Sequence, residues 1–187
     1  MRILGVNGIH NWSWSKESFT DKLLDALSHR HEVVDVQYPR MWAVLAYFDK
    51  AIQRRADKII ELYQPGDVLI AHSFGCLASI YAMRKRPDMR FSKVFFFGAA
   101  AEVDEYIPDC FQVLYNIHSE ADSALFIGNK LPFHRFGYLG RDGYKGDNPR
   151  VLNIHAPGMD HNDYVTPKHL CEWGKFIEDR IRIELSP

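Results

Sequence analysis

Residues 68–80 read VLIAHSFGCLASI, and this stretch decides the fold. Its first four residues are apolar and predict a buried strand, whereas residues 75–84 have the pattern of a helix. Only three residues separate the two elements. A strand that passes into a helix within so short a distance is typical of a βα unit in a parallel sheet.

The same alternation of strand and helix extends over the rest of the chain. Short apolar runs rich in β-branched and aromatic residues predict five more strands. Apolar residues at helical spacing predict three more helices, of which the first follows a capping signal and the last opens at a proline. The strands lie at residues 2–6, 33–36, 94–97, 113–117 and 151–154, and the helices begin near Phe19, Val44 and Pro167.

Most of the predicted strands are continuous apolar runs rather than alternating ones. This pattern is typical of strands that are covered on both faces. We therefore predict an α/β fold with a mostly parallel central sheet of about six strands and helices on both faces. The 187 residues fit one domain, residues 1–187. Sites in such sheets lie beyond the carboxyl ends of the strands, so chemistry is expected there.

The turn at Ser73 resembles the nucleophile elbow of the α/β-hydrolase superfamily, written G-x-S-x-G. The residues two before and two after the serine must be small, because they lie close together in this tight turn. Gly75 meets this demand, and Ala71 replaces the usual first glycine at the cost of one methyl group. The resemblance implies a small serine hydrolase, similar to esterases and lipases with little lid, in which Ser73 is the nucleophile. His72 should point away from the hydroxyl, as a packing or oxyanion-side residue.

The resemblance also implies an acid and a base that follow the serine in chain order. The fifth strand runs into HSEAD at residues 118–122, and the sixth runs into HAPGMDH at residues 155–161. We predict Asp122 as the acid and His161 as the base. His161 is preferred over His155 because His155 stands at the strand end, whereas the loop after Pro157 leaves His161 free to approach the serine.

Three other carboxylates are alternatives to Asp122 as the acid. Glu120 lies in the same turn, Asp104 lies beyond the fourth strand, and Asp163 follows His161 by two residues. Asp163 would need an unusual local turn to reach the base. Glu120 is expected to be solvated.

A tetrahedral intermediate needs two backbone N–H donors at its oxyanion. By the resemblance, the first is the N–H of Phe74, which follows the nucleophile. The second is the N–H of Ile9, in the loop Asn7-Gly8-Ile9-His10, which is similar to the family's His-Gly segment with asparagine in the histidine position. Gly8 lets the backbone turn inward. The alternative interpretation of this loop is an ordinary Asn-Gly turn.

Two connections differ in what they predict about access to the site. The stretch 99–111, where many relatives carry a lid domain, is short, which predicts an open or lightly covered site. Residues 126–148 are long and rich in glycine and aromatic residues. A loop of this length is often functional. It is interpreted as a flap over the substrate, a surface loop or a partner-binding face.

Charge and cysteine content exclude several classes of partner. The chain has 23 Lys and Arg against 24 Asp and Glu, a net charge of -1, so neither nucleic acid nor an anionic membrane is expected as a partner. No apolar run approaches the roughly 20 residues of a membrane span. Cys76, Cys110 and Cys171 are widely spaced, which predicts neither a metal cluster nor a disulfide framework, and favours the cytoplasm.

The predicted reaction is hydrolysis of a carboxylic ester or thioester of a small-molecule acyl substrate, without a cofactor or metal. A peptidase or amidase would use the same three residues, and fold alone does not separate these activities. A non-catalytic binding protein on a hydrolase scaffold is a second alternative. A nucleotide-binding protein is disfavoured, because no G-x-G-x-x-G follows the first strand.

Overall fold

The computed structural model describes residues 1–8, 19–36, 49–130 and 136–183. Within these ranges the chain forms six strands and six α-helices. The strands are β1 Arg2–Val6, β2 Glu32–Asp35, β3 Val68–His72, β4 Phe91–Phe97, β5 Phe111–His118 and β6 Val151–His155. The helices are α1 Phe19–Ser28, α2 Asp49–Leu62, α3 Phe74–Lys85, α4 Ser123–Gly128, α5 Leu139–Asp142 and α6 Pro167–Arg182, with a short 3₁₀ helix at Asp163–Val165.

The six strands form one sheet in the order β2-β1-β3-β4-β5-β6. Every neighbouring pair is parallel, which confirms the predicted fold class. The chain goes from β1 to β2 at one edge and then returns to β3 on the other side of β1. This reversal places a topological switch point between the carboxyl ends of β1 and β3, where ligands bind in open α/β sheets.

The two faces of the sheet pack against different helices. On one face, strand residues such as Leu4, Leu69 and Phe96 pack against α2 and α3. On the other face, residues such as Ile3, Val68 and Phe95 pack against α1 and α6. Because successive strand residues point to opposite faces and both faces are covered, the strands have the continuous apolar sequence from which they were predicted.

The half-buried Arg2 and the buried Lys93 tie strands of the sheet to its helices. Arg2 on β1 donates to Asp67 Oδ2 at 2.8 Å and to the carbonyl of Leu62, at the end of α2, also at 2.8 Å. Lys93 on β4 directs its ammonium group at carbonyl oxygens at the end of α6, including that of Ile181. A cation at a helix C-terminus satisfies carbonyls that have no partner within the helix.

The segment 126–148 differs from its sequence interpretation. It contains the end of α4 and the short helix α5, and residues 136–148 are packed into the fold. The backbone N–H groups of Leu139 and Gly140 donate to the carbonyls of Ala101 and Ala99 at 2.9 and 2.8 Å. A Cβ on Gly140 would lie 2.2 Å from the backbone of Ala99. This described part of the segment is therefore integral to the fold, joined to the connection between β4 and β5.

Element ends also differ from the sequence predictions. β4 and β5 are longer than expected, because Phe91 and Phe111 pair with each other at the start of both strands. The helix predicted from Val44 is α2, and it is described from Asp49 onward; the earlier residues lie outside the described ranges. No helix in the described part of the chain is long and apolar enough to cross a bilayer.

Candidate active site

Ser73 occupies the turn between β3 and α3 in an unusual backbone conformation. Its φ is 55° and its ψ is -123°. Within the described ranges it is the one residue other than glycine with a positive φ. Such a conformation costs about 1–3 kcal/mol and is kept only where the surroundings impose it. Here the N–H of Ser73 donates to Phe97 O at 2.9 Å, and its carbonyl accepts from Ala100 at 3.2 Å.

The turn is tight because the end of β1 packs against it. A Cβ on Gly75 would lie 2.4 Å from Val6 O and 2.7 Å from Asn7 O. The need for glycine at this position was predicted from the flanks of the elbow, but the closest obstructing atoms belong to the neighbouring strand. On the other side, a Cβ on Gly8 would lie 2.9 Å from Ser73 Cβ.

Of the two predicted oxyanion donors, the structure describes Phe74. Phe74 is the first residue of α3, and N–H groups in the first turn of a helix have no partner within that helix. Its side chain is buried, and the guanidinium of Arg55 lies over its ring at 4.9 Å. Ile9 lies outside the described residues, as does His10, the last residue of the same loop.

Asp122 and His161 are brought together as a hydrogen-bonded pair. His161 Nδ1 lies 2.7 Å from Asp122 Oδ2, and Asp122 is fully buried. The other carboxylate oxygen, Oδ1, accepts from the N–H of Leu125 at 2.9 Å and caps α4. Because a carboxylate only accepts, the proton of neutral His161 lies on Nδ1, and Nε2 is left as the basic nitrogen.

Gly98 connects this pair to the nucleophile turn. In the pairing of β3 with β4, the last residues of the two strands, His72 and Phe97, are opposite each other. Ser73 and Gly98, which follow them, therefore lie at neighbouring strand ends. A Cβ on Gly98 would lie 3.1 Å from both Asp122 Oδ2 and His161 Nδ1. Gly98, with a φ of 51°, was missed in the sequence, where its position directly after a strand was the available signal.

The alternative acids lie elsewhere. Glu120 is exposed and pairs with Nε2 of His155, the other histidine that was considered as the base. Asp163 Oδ2 accepts from the N–H of Asp160 at 2.9 Å. Asp104 is exposed in the turn after β4. Of the four carboxylates considered, Asp122 is the one that is hydrogen-bonded to the His161 ring.

Two further side chains contact the backbone of His161, and sequence reasoning missed both contacts. His72 is buried, as predicted for a packing residue, but its Nε2 also lies 3.1 Å from His161 O. Burial lowers the pKa of His72 well below its usual value, and the adjacent His161 lowers it further. Asp160 accepts from the N–H of His161 at 2.8 Å.

Cys76 lies on the first turn of α3, three residues after Ser73. Its N–H donates to Ser73 O at 3.0 Å. Burial raises the pKa of this thiol well above its usual value, which disfavours the thiolate that a nucleophile requires. Among the described residues, no three His, Cys, Asp or Glu side chains form a group suited to a metal ion.

The parallel sheet, the strained serine turn and the histidine–aspartate pair beyond the next strands define the class: the chain has the α/β-hydrolase fold. No protein-family model and no curated protein matches it. It is similar to α/β-hydrolase domain-containing protein 10 from mouse, with a TM-score of 0.61 and 12% identity over 96% of this chain and 89% of that one.

Two serine hydrolases of known structure are also similar. One, a member without a lid from Xanthomonas campestris, has a TM-score of 0.58 and 13% identity over 100% of this chain and 84% of that one. The other, involved in carbazole degradation, has a TM-score of 0.60 and 9% identity over 98% of this chain and 91% of that one. At these identities the likeness is one of fold.

Proposed function

We propose that this protein is a serine hydrolase that cleaves a carboxylic ester or thioester of a small-molecule acyl substrate. One observation carries the proposal: a strained Ser73 follows β3, and the buried Asp122, hydrogen-bonded to His161, lies against Gly98 at the adjacent strand end. A serine, a histidine and an aspartate in this relation are the parts of an acyl-transfer site.

The proposed reaction proceeds in two halves. Ser73 Oγ attacks the carbonyl carbon while His161 Nε2 takes the hydroxyl proton. The tetrahedral intermediate collapses to an acyl-enzyme, and His161 returns the proton to the departing alcohol or thiol. A water molecule then repeats the attack on the acyl carbon, and the carboxylic acid leaves with Ser73 regenerated.

Asp122 has two roles in this proposal. Its buried carboxylate keeps the imidazole in the Nδ1–H tautomer and stabilises the imidazolium that forms during each attack. Its second oxygen is held by the N–H of Leu125, so the carboxylate keeps a fixed orientation. The N–H groups of Phe74 and Ile9 are the proposed donors to the oxyanion.

Two observations outside the site support the proposal. Two of the similar proteins are called serine hydrolases, and one of them lacks a lid. In this chain the connection between β4 and β5, residues 98–110, contains no helix. We also propose a cytoplasmic location, which the three free cysteines support.

A fluorophosphonate probe tests the chemical class. We expect the pure protein to be labelled at Ser73, as located by peptide mass spectrometry, and to hydrolyse p-nitrophenyl acetate and a short acyl thioester. The Ser73→Ala variant should lose both properties while keeping its fold. A folded protein that is neither labelled nor active would instead be a binding protein. Faster turnover of the matching anilide than of the ester would make it an amidase.

A further inference from the structure

Catalysis by His161 requires that its ring stay at a fixed place between the acid and the nucleophile. His161 lies in the loop between β6 and the 3₁₀ helix, and loops are usually the more mobile parts of a fold. Asp122 holds the ring through Nδ1. A ring held at one nitrogen can still pivot about that hydrogen bond, unless the backbone that carries it is also held.

His72 holds the carbonyl side of the His161 peptide backbone. Its Nε2 lies 3.1 Å from His161 O, and a carbonyl only accepts, so Nε2 carries the proton and donates. The two rings are 4.7 Å apart between centroids. His72 is the last residue of β3 and is 6% exposed, so this donor stands on the strand that leads directly to Ser73.

Asp160 holds the amide side of the same residue. Asp160 Oδ1 accepts from the N–H of His161 at 2.8 Å. The same oxygen accepts from the N–H and the hydroxyl of Ser123, each at 2.8 Å. Ser123 directly follows Asp122, so one carboxylate oxygen joins the loop of the base to the loop of the acid.

We propose that His72 and Asp160 are positioning residues that clamp the backbone of His161, one at its carbonyl and one at its N–H. The inference rests on the proposed function, because it assigns both residues to the placement of the proposed base. His72 fixes the position of His161 relative to β3, the strand that leads to Ser73. Asp160 fixes it relative to Asp122, through Ser123. Misplacement of a catalytic group by about 1 Å can cost a hundredfold in rate.

The test at His72 compares two amides. In His72→Gln the side-chain amide nitrogen can occupy the position of Nε2 and donate to His161 O. In His72→Asn the amide nitrogen occupies the position of Nδ1 and is too far from His161 O to donate to it. We expect His72→Gln to keep kcat within a few fold of wild type and His72→Asn to lower it by about tenfold to a hundredfold, with KM little changed. Equal kcat values in the two variants would overturn the role of His72.

His118 supplies the matched control. It is a half-buried histidine at the end of β5, and its Nδ1 contacts the carbonyl of Arg141 at 3.3 Å, away from His161. His118→Gln and His118→Asn should leave kcat unchanged. A drop in kcat for His118→Asn equal to that for His72→Asn would show a general effect of losing a strand-end histidine, and would also overturn the inference.

The test at Asp160 compares Asp160→Asn, which keeps an acceptor oxygen, with Asp160→Ala, which removes it. Asp160 is exposed, so water can partly replace it, and we expect Asp160→Ala to lose about tenfold in kcat and Asp160→Asn less. Glu120→Ala, at an exposed carboxylate that pairs with His155, is the control and should not change kcat. Identical rates for Asp160→Ala and wild type would remove Asp160 from the clamp.

A second readout separates this inference from the proposed function. The ring resonances of His161 in NMR spectra should be single and sharp in wild type and in His72→Gln, and broadened or doubled in His72→Asn. If wild type has no turnover and no probe labelling, the proposed function fails, and these spectra still decide whether the backbone is clamped. Unchanged spectra in His72→Asn would overturn the clamp even in an active enzyme.

Discussion

Ser73 combines a reactive side chain with a backbone conformation that only glycine adopts without strain. Neighbouring segments impose this conformation: Phe97 at the end of β4 and Ala100 after it bind the Ser73 backbone on one side, and the end of β1 closes the turn on the other. Stability and the proposed activity therefore make opposite demands at this residue.

Two variants, Ser73→Ala and Ser73→Gly, separate the effect of the hydroxyl from that of the backbone strain. Ser73→Ala removes the hydroxyl but retains a Cβ, so its thermal midpoint should be close to that of wild type. Ser73→Gly also relieves the strain of about 1–3 kcal/mol, offset by about 0.4–1 kcal/mol of extra flexibility in the unfolded chain. We expect Ser73→Gly to be more stable than Ser73→Ala by about 1 kcal/mol in urea denaturation. A less stable glycine variant would mean that the turn is not strained.

Asp122→Asn should test the acid with little change in packing. Its Oδ1 can still cap α4 through Leu125, but its NH₂ group would face His161 Nδ1 and favour the wrong tautomer. We expect kcat to fall by at least about a hundredfold in steady-state kinetics, with a much smaller change in KM. Glu120→Gln is the matched control. A large loss in the control together with a small one in Asp122→Asn would move the acid to Glu120.

At the scale of elements, the nucleophile turn depends on a close approach of α3 to β1. The start of α3 lies against the end of β1, and Gly75 leaves no room for a side chain between them. The obstructing atoms are backbone carbonyls of Val6 and Asn7, which cannot rotate away as a side chain would. The position of the nucleophile therefore depends on how closely one helix approaches one strand.

Two helical glycines give a matched comparison of this contact. A Cβ on Gly75 would lie 2.4 Å from Val6 O, whereas a Cβ on Gly174, in α6, would meet nothing within 4 Å. Gly174→Ala should stabilise the protein by about 0.5–1 kcal/mol, since alanine favours helices. Gly75→Ala should destabilise it by several kcal/mol, and Gly75→Val should lose soluble expression. Stable, active Gly75→Val protein would show that the elements are not in close contact.

At the scale of the whole molecule, α6 is joined to the end of α1 by Glu178. Its carboxylate contacts Arg30 at 3.3 Å and His31 at 3.2 Å. Burial raises the pKa of Glu178, but the hydrogen bond from Arg30 and the charges of both partners outweigh it and leave the pKa below its usual value. Helices α1 and α6 cover the face of the sheet that includes Phe97, the last residue of β4. The stability of this helix pair therefore affects the strand end next to the site.

Acid should destabilise the protein in two separate pH ranges. A buried neutral His72 has a lowered pKa, so its contribution to stability is complete above about pH 6.5 and is lost as the pH falls below that value, by at most about 1.4 kcal/mol per pH unit. Glu178, also with a lowered pKa, contributes above about pH 4.3 and loses its contribution as the pH falls through its folded pKa.

Thermal midpoints measured from pH 8 to pH 3 check both ranges. His72→Gln should flatten the curve between about pH 6.5 and pH 5 and leave the later fall intact. Glu178→Gln should be less stable than wild type at neutral pH and should reduce the fall below about pH 4. A wild-type curve and a His72→Gln curve that run parallel from pH 7 to pH 5 would contradict the assignment to His72.

The amino-acid sequence by itself determined the kind of fold. Residues 68–71 are apolar at every position, as expected for a strand in a sheet covered on both faces, and the six-stranded parallel arrangement is confirmed. The sequence also placed Ser73, Asp122 and His161 beyond strand ends, because local pattern shows where a strand stops. Their catalytic roles remain predictions.

The tertiary structure alone decided which residues meet at those strand ends. Gly98 lies against Asp122 and His161 because β4 and β5 pair in one register, and Val6 limits Gly75 because β1 is the neighbour of β3. The contact of His72 with the carbonyl of His161, and that of Asp160 with Ser123, join residues on different strands and loops. Sequence patterns report burial and period along one segment, whereas such contacts depend on the pairing and order of segments far apart in the chain.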